Sequence, residues 1–172
     1  MDAIASLREG LGAAHWLVEG TMEGITSDQA HKQPGGNAHC IAALYAHLVS
    51  GEDMILNGMI QGKAPLAATS HAGKTGISQP PPMEGGDWAQ WGKDVRVDIP
   101  ALRQYAQAVY AVSDAYIAGL KPEDLDQKLN HFPDLGPQTL NWYLQIIIGH
   151  AHDHIGEVSA LKGIQGLKGY PF

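Results

Sequence analysis

Apolar residues recur along most of this chain at alternating steps of three and four, the rhythm of a helix with one buried face. The first run spans Asp2 to Glu23 and puts Ile4, Leu7, Leu11, Ala14, Val18 and Met22 on one seam. Gly20 and Gly24 mark its fraying end. Thr26-Ser27-Asp28-Gln29-Ala30 predicts a short capped turn, and Gln33-Pro34-Gly35-Gly36-Asn37 predicts a loop. A second run covers Ala38 to Ile60, with Ile41, Leu44, Leu48, Met54, Ile55 and Met59 as its apolar positions and Asn37 as its expected N-cap. His47 falls on the inward seam of that run, and Glu52 and Asp53 follow it.

The rhythm stops from Gln61 to Ile99, where Pro65, Gly73, Gly76, Pro80-Pro81-Pro82 and Gly85-Gly86 break any helix. A connection this long inside one domain is commonly a lid, a binding loop or a crossover. Trp88 and Trp91 suggest that it packs back onto the body, with a short helix around Asp87 to Asp94. A third run starts after Pro100, a residue suited to a first helical turn, and carries Leu102, Tyr105, Val109, Val112, Tyr116 and Leu120. Gly119 and Lys121-Pro122 end it. Lys128 to Leu135 is expected to include a brief extended piece before the Gly136-Pro137 break. The last run, Thr139 to about Lys162, reads Leu140, Tyr143, Leu144, Ile147, His150, Ala151, His154, Val158 and Leu161 along its seam. Four amphipathic helices with one long connection between the second and third predict an all-α fold: a four-helix bundle with a crossover, forming a single domain over residues 1–172. The crossover is long enough for the second and third helices to run parallel. No internal repeat or strong strand pattern competes with this reading.

Composition narrows the function. Net charge is -7 with neutral histidines and no basic cluster is present, so a nucleic-acid footprint is not expected. No apolar run approaches a bilayer span, and Met1-Asp2-Ala3 opens without a signal-peptide pattern, so a cytoplasmic protein with no membrane partner is expected. The one cysteine, Cys40, permits no internal disulfide and reads as a small buried hydrophobe.

The candidate chemistry is histidine. His150 and His154 stand four apart on one face of the last helix, and His152 points away. A lone histidine on an apolar seam is ordinarily a satisfied core residue. Two on one seam, with His47 on the inward seam of a second helix, are hard to satisfy without a cation or a carboxylate. Neutral imidazole suits zinc, nickel, copper or iron, and three protein nitrogens leave positions open for water or substrate. His47, His150 and His154 are therefore the expected metal ligands, and a divalent transition metal the expected cofactor. Asp153 is a candidate acceptor for a ligand imidazole, and His39 is placed at the pocket mouth. His15 is a weaker ligand candidate. His31, His71 and His131 are expected in solvated loops, and Tyr105, Tyr116 and Tyr143 in aromatic packing or as pocket donors. The chain has no His-Glu-x-x-His, Glu-x-x-His, Cys-x-x-Cys-His, phosphate loop or Gly-x-Ser-x-Gly, which argues against zincin proteases, di-iron carboxylate bundles, covalent haem and the usual serine nucleophile.

Three stretches carry a resemblance. They are Ile41-Ala42-Ala43-Leu44-Tyr45-Ala46-His47-Leu48 with Glu52 a turn later, the Gly24-Ile25-Thr26-Ser27-Asp28-Gln29 connection, and Thr139-Leu140-Asn141-Trp142-Tyr143-Leu144 through His150-Ala151-His152-Asp153-His154-Ile155-Gly156-Glu157. Together they resemble the DinB/YfiT-like family of metalloenzymes. The resemblance implies a four-helix bundle with a long crossover, and a divalent metal, often nickel or zinc, at positions matching His47, His150 and His154. It also implies a homodimer in many members. Some members transfer low-molecular-weight thiols or isomerise thiol adducts, and others are metal-dependent hydrolases. The expected activity is thus that of a thiol transferase or a hydrolase. In it, a three-histidine site activates water or a small thiol for attack on a small electrophilic substrate. The alternative is a non-catalytic, metal-binding stress-response protein whose metal staples the bundle. A metal-free helical interaction module ranks last.

Overall fold

Local capping sets the helix starts. The computed structural model describes residues 2–82 and 86–172. Asp2 accepts from the Ala5 amide and opens α1, Ala3–Met22. Thr26 and Gln29 form a reciprocal capping box that starts α2, Ser27–His31. α3 spans Ile41–Asp53, later than the sequence predicts: Cys40, with extended φ and ψ, is the N-cap, and Asn37 lies outside the helix. α3 continues into a π-helical stretch, Met54–Ile60. Asp87 caps α4, Trp88–Asp94, and Asp98 caps α5, Ile99–Ala118, whose first turn holds Pro100. Thr139 caps α6, Leu140–Ile164. A two-residue ladder pairs β1, Lys128–Leu129, with β2, Gln138–Thr139, at the foot of α6.

Side-chain contacts fix the helix directions. His15 meets Glu52 and Tyr45 meets Glu19, so α1 and α3 are antiparallel. Arg8 meets Asp114 and Arg103 meets Glu19, so α1 and α5 are antiparallel. The Lys162 ammonium donates to the Thr21 carbonyl, and Gly10 lies against Ile148, so α1 and α6 are parallel. α3 and α5 therefore run the same way, and the chain between them must travel back along the bundle. α1 and α3 each pack on both α5 and α6, which places α1 diagonally across from α3.

The interior is layered. One apolar cluster gathers Val18, Met22, Leu44, Tyr45, Leu102, Tyr105, Ala151 and Ile155. The other gathers Leu7, Leu11, Leu56, Ile117, Leu140 and Leu144. Between them lies a belt of buried polar residues: Glu52, Asp53, Asn57 and Ser113. Glu52 accepts from the Ser113 hydroxyl and pairs with His15 at 2.9 Å. Asp53 accepts from the Tyr105 hydroxyl at 2.6 Å, the Asn57 amide at 2.7 Å, and the Leu66 and Ala67 backbone amides at 2.9 and 3.0 Å. The last two bonds tie the start of the crossover to the core. Among the described residues, no helix is long and apolar enough to cross a membrane.

Candidate metal centre

His47 sits in the middle of α3, and His150 and His154 one turn apart on α6. The antiparallel packing of α3 on α6 brings them together. Nε2 of His47 lies 2.9 Å from Nε2 of His150. Ring centroids are 4.7 Å apart for His47 and His150, 4.8 Å for His47 and His154, and 4.5 Å for His150 and His154. One nitrogen from each ring falls within 4.8 Å of the others. Gly51 makes this approach possible, because a Cβ there would stand 3.0 Å from Cε1 of His150.

Burial is the main cause of the depressed basicity. It pulls His47 down to about 3, assisted by the neighbouring His150 and His154. It pulls His150 down to about 4, assisted by His154. Both rings are therefore neutral at pH 7 and keep a lone pair for a cation. Glu157 accepts from Nδ1 of His154 at 3.0 Å. That bond fixes the Nδ1–H tautomer and leaves Nε2 free to face the cluster. Two nitrogens bound to one zinc-like cation stand roughly 3–3.4 Å apart at bond lengths of about 2.0–2.1 Å, and the His47–His150 pair, at 2.9 Å, comes near that separation. Neutral imidazoles on one side of a pocket are a donor set for borderline divalent metals.

The other sequence-predicted residues separate clearly. His152 is exposed and bonds the Ile148 carbonyl at 2.9 Å. Asp153 is exposed, and the carboxylate on a cluster imidazole belongs to Glu157 instead. His15 is outside the cluster, stacked on Tyr110 with centroids 3.7 Å apart and held by Glu52. His31 is not a solvated loop residue: it ends α2 and accepts from the Val97 amide at 3.0 Å. His71 is half-buried beside Tyr105, whereas His131 is exposed. Tyr105 bonds Asp53, and the Tyr143 hydroxyl accepts from the His131 amide, so neither serves the cluster. Cys40 is fully buried, its thiol turned toward the Gly92 carbonyl.

A cavity of about 230 Å³ adjoins the cluster. His39, His47, His154, Glu157, Trp88 and Trp91 line it above a floor of Ala43 and Leu44. α4 closes it, with Trp88 edge-on to His47 at 4.8 Å. A larger open groove, about 1270 Å³, runs between α2 and the start of α5 and touches none of the three clustered histidines.

Glu157 closes the stretch that carries the resemblance, three positions beyond His154 on the same helix, but the sequence reading gives it no role. Replacing it with alanine is expected to weaken zinc affinity about 10–100-fold, the usual effect of removing a carboxylate behind a ligand imidazole. Competition with a chromophoric chelator measures this. An unchanged affinity would show that the carboxylate does not orient His154.

A comparison with curated protein sequences finds no significant match. Solved structures do match. A conserved protein from Enterococcus faecalis aligns with a TM-score of 0.79 at 23% identity, over 94% of this chain and 96% of that one. YfiT from Bacillus subtilis, described as a probable metal-dependent hydrolase with an unusual four-helix bundle topology, aligns with a TM-score of 0.69 at 18% identity, over 98% and 91%. A DinB-like protein from Bacillus cereus aligns with a TM-score of 0.53 at 17% identity, over 93% and 88%. At these identities the likeness establishes the fold. The DinB superfamily model matches residues 13–158, which takes in all three clustered histidines and most of the four bundle helices, and the chain belongs to the DinB superfamily.

Proposed function

We propose that this protein is a metal-dependent enzyme acting on a small electrophilic substrate, with His47, His150 and His154 holding one divalent cation. The observation that carries this reading is the convergence of the three imidazoles beside a cavity. The description of the structurally similar YfiT as a probable metal-dependent hydrolase supports it. A divalent cation at such a site lowers the pKa of water or a small thiol and polarises an electrophilic carbonyl. The chain's own residues do the rest. His47 and His154 also line the cavity, so the proposed centre opens onto it. Glu157 holds His154 in one tautomer through its Nδ1 proton. Trp88 and Trp91 form the cavity's aromatic wall. Zinc and nickel are the proposed metals. Water is the simpler nucleophile, and a low-molecular-weight thiol is the alternative co-substrate.

The test uses the protein stripped of metal and reloaded with zinc or nickel, screened against activated esters, amides and epoxides, with and without a small thiol. Turnover that appears on reloading and vanishes with a chelator is expected. Dependence on the thiol separates transferase from hydrolase chemistry. Stoichiometric metal that raises the melting temperature without any turnover would replace the enzyme reading with that of a structural staple.

A further inference from the structure

The cavity beside the cluster holds one histidine that the proposed centre leaves unused. His39 lines it together with His47, His154 and Glu157. Among the described residues, His47, His150 and His154 each bring a nitrogen within 4.8 Å of the others, and His39 borders that group without joining it. Its placement is built in. His39 lies in the non-helical residues just before α3, whose N-cap, Cys40, turns its thiol toward the Gly92 carbonyl of α4. The His39 ring rests on the same glycine: a Cβ at position 92 would stand 2.0 Å from Nδ1 and 2.8 Å from Cε1. Nδ1 is thus on the packed edge of the ring, and Nε2 stands farther from Gly92.

The ring is also uncommitted. His15, His31, His71, His152 and His154 each have a hydrogen-bond partner for a ring nitrogen, and among the described residues the half-buried His39 has none. A half-buried imidazole in that state keeps a donor and an acceptor for whatever shares its pocket. The other lining groups are occupied or inert. Glu157 accepts from His154, the Trp91 indole N–H donates to the Gln79 carbonyl at 3.2 Å, and Ala43 and Leu44 are apolar. The volume of about 230 Å³ is below the roughly 300–1,000 Å³ typical of sites for drug-sized ligands. An occupant that reaches His47 and His154 therefore also lies against His39.

We propose that His39 is the proton-transfer residue of this site. The inference rests on the proposed metal-dependent reaction and adds to it the general base and acid. As the oxygen or sulfur of the nucleophile bonds to the electrophilic carbon, its proton passes to Nε2 of His39. As the bond to the leaving group breaks, that proton passes from Nε2 to the departing oxygen or nitrogen, and the ring is neutral again. No oxidant or reductant takes part.

Acetohydroxamate, a small zinc chelator that also forms hydrogen bonds, is the probe, with full-length protein loaded with zinc. His39→Ala is expected to keep zinc affinity within about twofold and to bind acetohydroxamate at least about fivefold more weakly, a difference of about 1 kcal/mol. With a substrate in hand, the variant should lose about 100–10,000-fold in kcat, and added imidazole should restore part of it. Long-range proton–nitrogen NMR spectra of the wild type supply a reading that needs neither a variant nor turnover. Nε2 of His39 should shift when acetohydroxamate is added, and should not take on, with zinc alone, the shift of the three ligand rings. A loss of acetohydroxamate affinity under fivefold, an Nε2 signal that acetohydroxamate leaves unmoved, a ligand shift at His39, or zinc-loaded wild type that does not bind the probe overturns the proposal. These outcomes leave the three-histidine centre standing. Wild type that takes up no zinc removes that centre, and this proposal with it.

Discussion

Replacing His150 with alanine is expected to empty the metal centre while leaving a folded bundle. His150 is half-buried on α6, with Nε2 2.9 Å from that of His47 and its ring 4.5 Å from that of His154. It is held neutral by burial and so needs no proton removed at pH 7 to bind a cation. Without it two donors remain, on different helices, and neither is positioned to chelate alone. Wild-type protein purified from metal-supplemented medium should carry close to one equivalent of transition metal, and the variant less than about 0.1, since a divalent site of this type needs three protein ligands. Elemental analysis after gel filtration reads this directly. His152→Ala is the matched control, because that ring is exposed and bonds its own helix. Metal retained by His150→Ala, or lost by His152→Ala, would sink the three-histidine assignment.

The second large effect concerns stability and not metal. Asp53→Ala should lower unfolding free energy by about 4 kcal/mol and the melting temperature by roughly 8–16 °C at this chain length. The buried Asp53 carboxylate gathers the Tyr105 hydroxyl, the Asn57 amide and two backbone amides. Burial and this carboxylate both push the Tyr105 hydroxyl above its ordinary pKa, so it stays protonated and donating. Alanine leaves those donors without an acceptor, and each orphan in the interior costs about 1–3 kcal/mol. The residues at 61–75 should also become an early site of proteolysis, because the Leu66 and Ala67 amides lose their anchor. Calorimetry and limited proteolysis check both effects. A loss under about 1 kcal/mol would mean that water replaces the carboxylate at little cost.

The bundle was legible where its seams are apolar. On α1, Leu7, Leu11, Ala14, Val18 and Met22 are all buried, as the spacing predicts. The same rule failed where polar residues turn inward. On α5 the buried positions past Val109 are Ser113 and Ile117, because Ser113 bonds Glu52, and Val112 and Tyr116 are only half-buried. Beyond Asp53 the π-helical widening shifts which residues face in: Leu56 and Asn57 are buried and Met54 is 37% exposed. The His150–His154 pair was readable from local geometry. The arrival of His47 beside it depends on how α3 slides along α6, which no local pattern encodes. Glu157 was readable and overlooked. At 100° per residue it lies about 40° from the centre of the histidine pair, and Asp153 about 80°, so the helix itself favours Glu157.

The crossover divides labour between two kinds of chain. The three histidines ride on bundle helices, whose positions are fixed by packing along their length. Trp88 and Trp91, by contrast, arrive on α4, a short helix within a connection whose irregular flanks can lengthen, shorten or change sequence without moving α3 against α6. Substitutions in this connection can thus reshape the cavity's aromatic wall while the three histidines keep their places on α3 and α6.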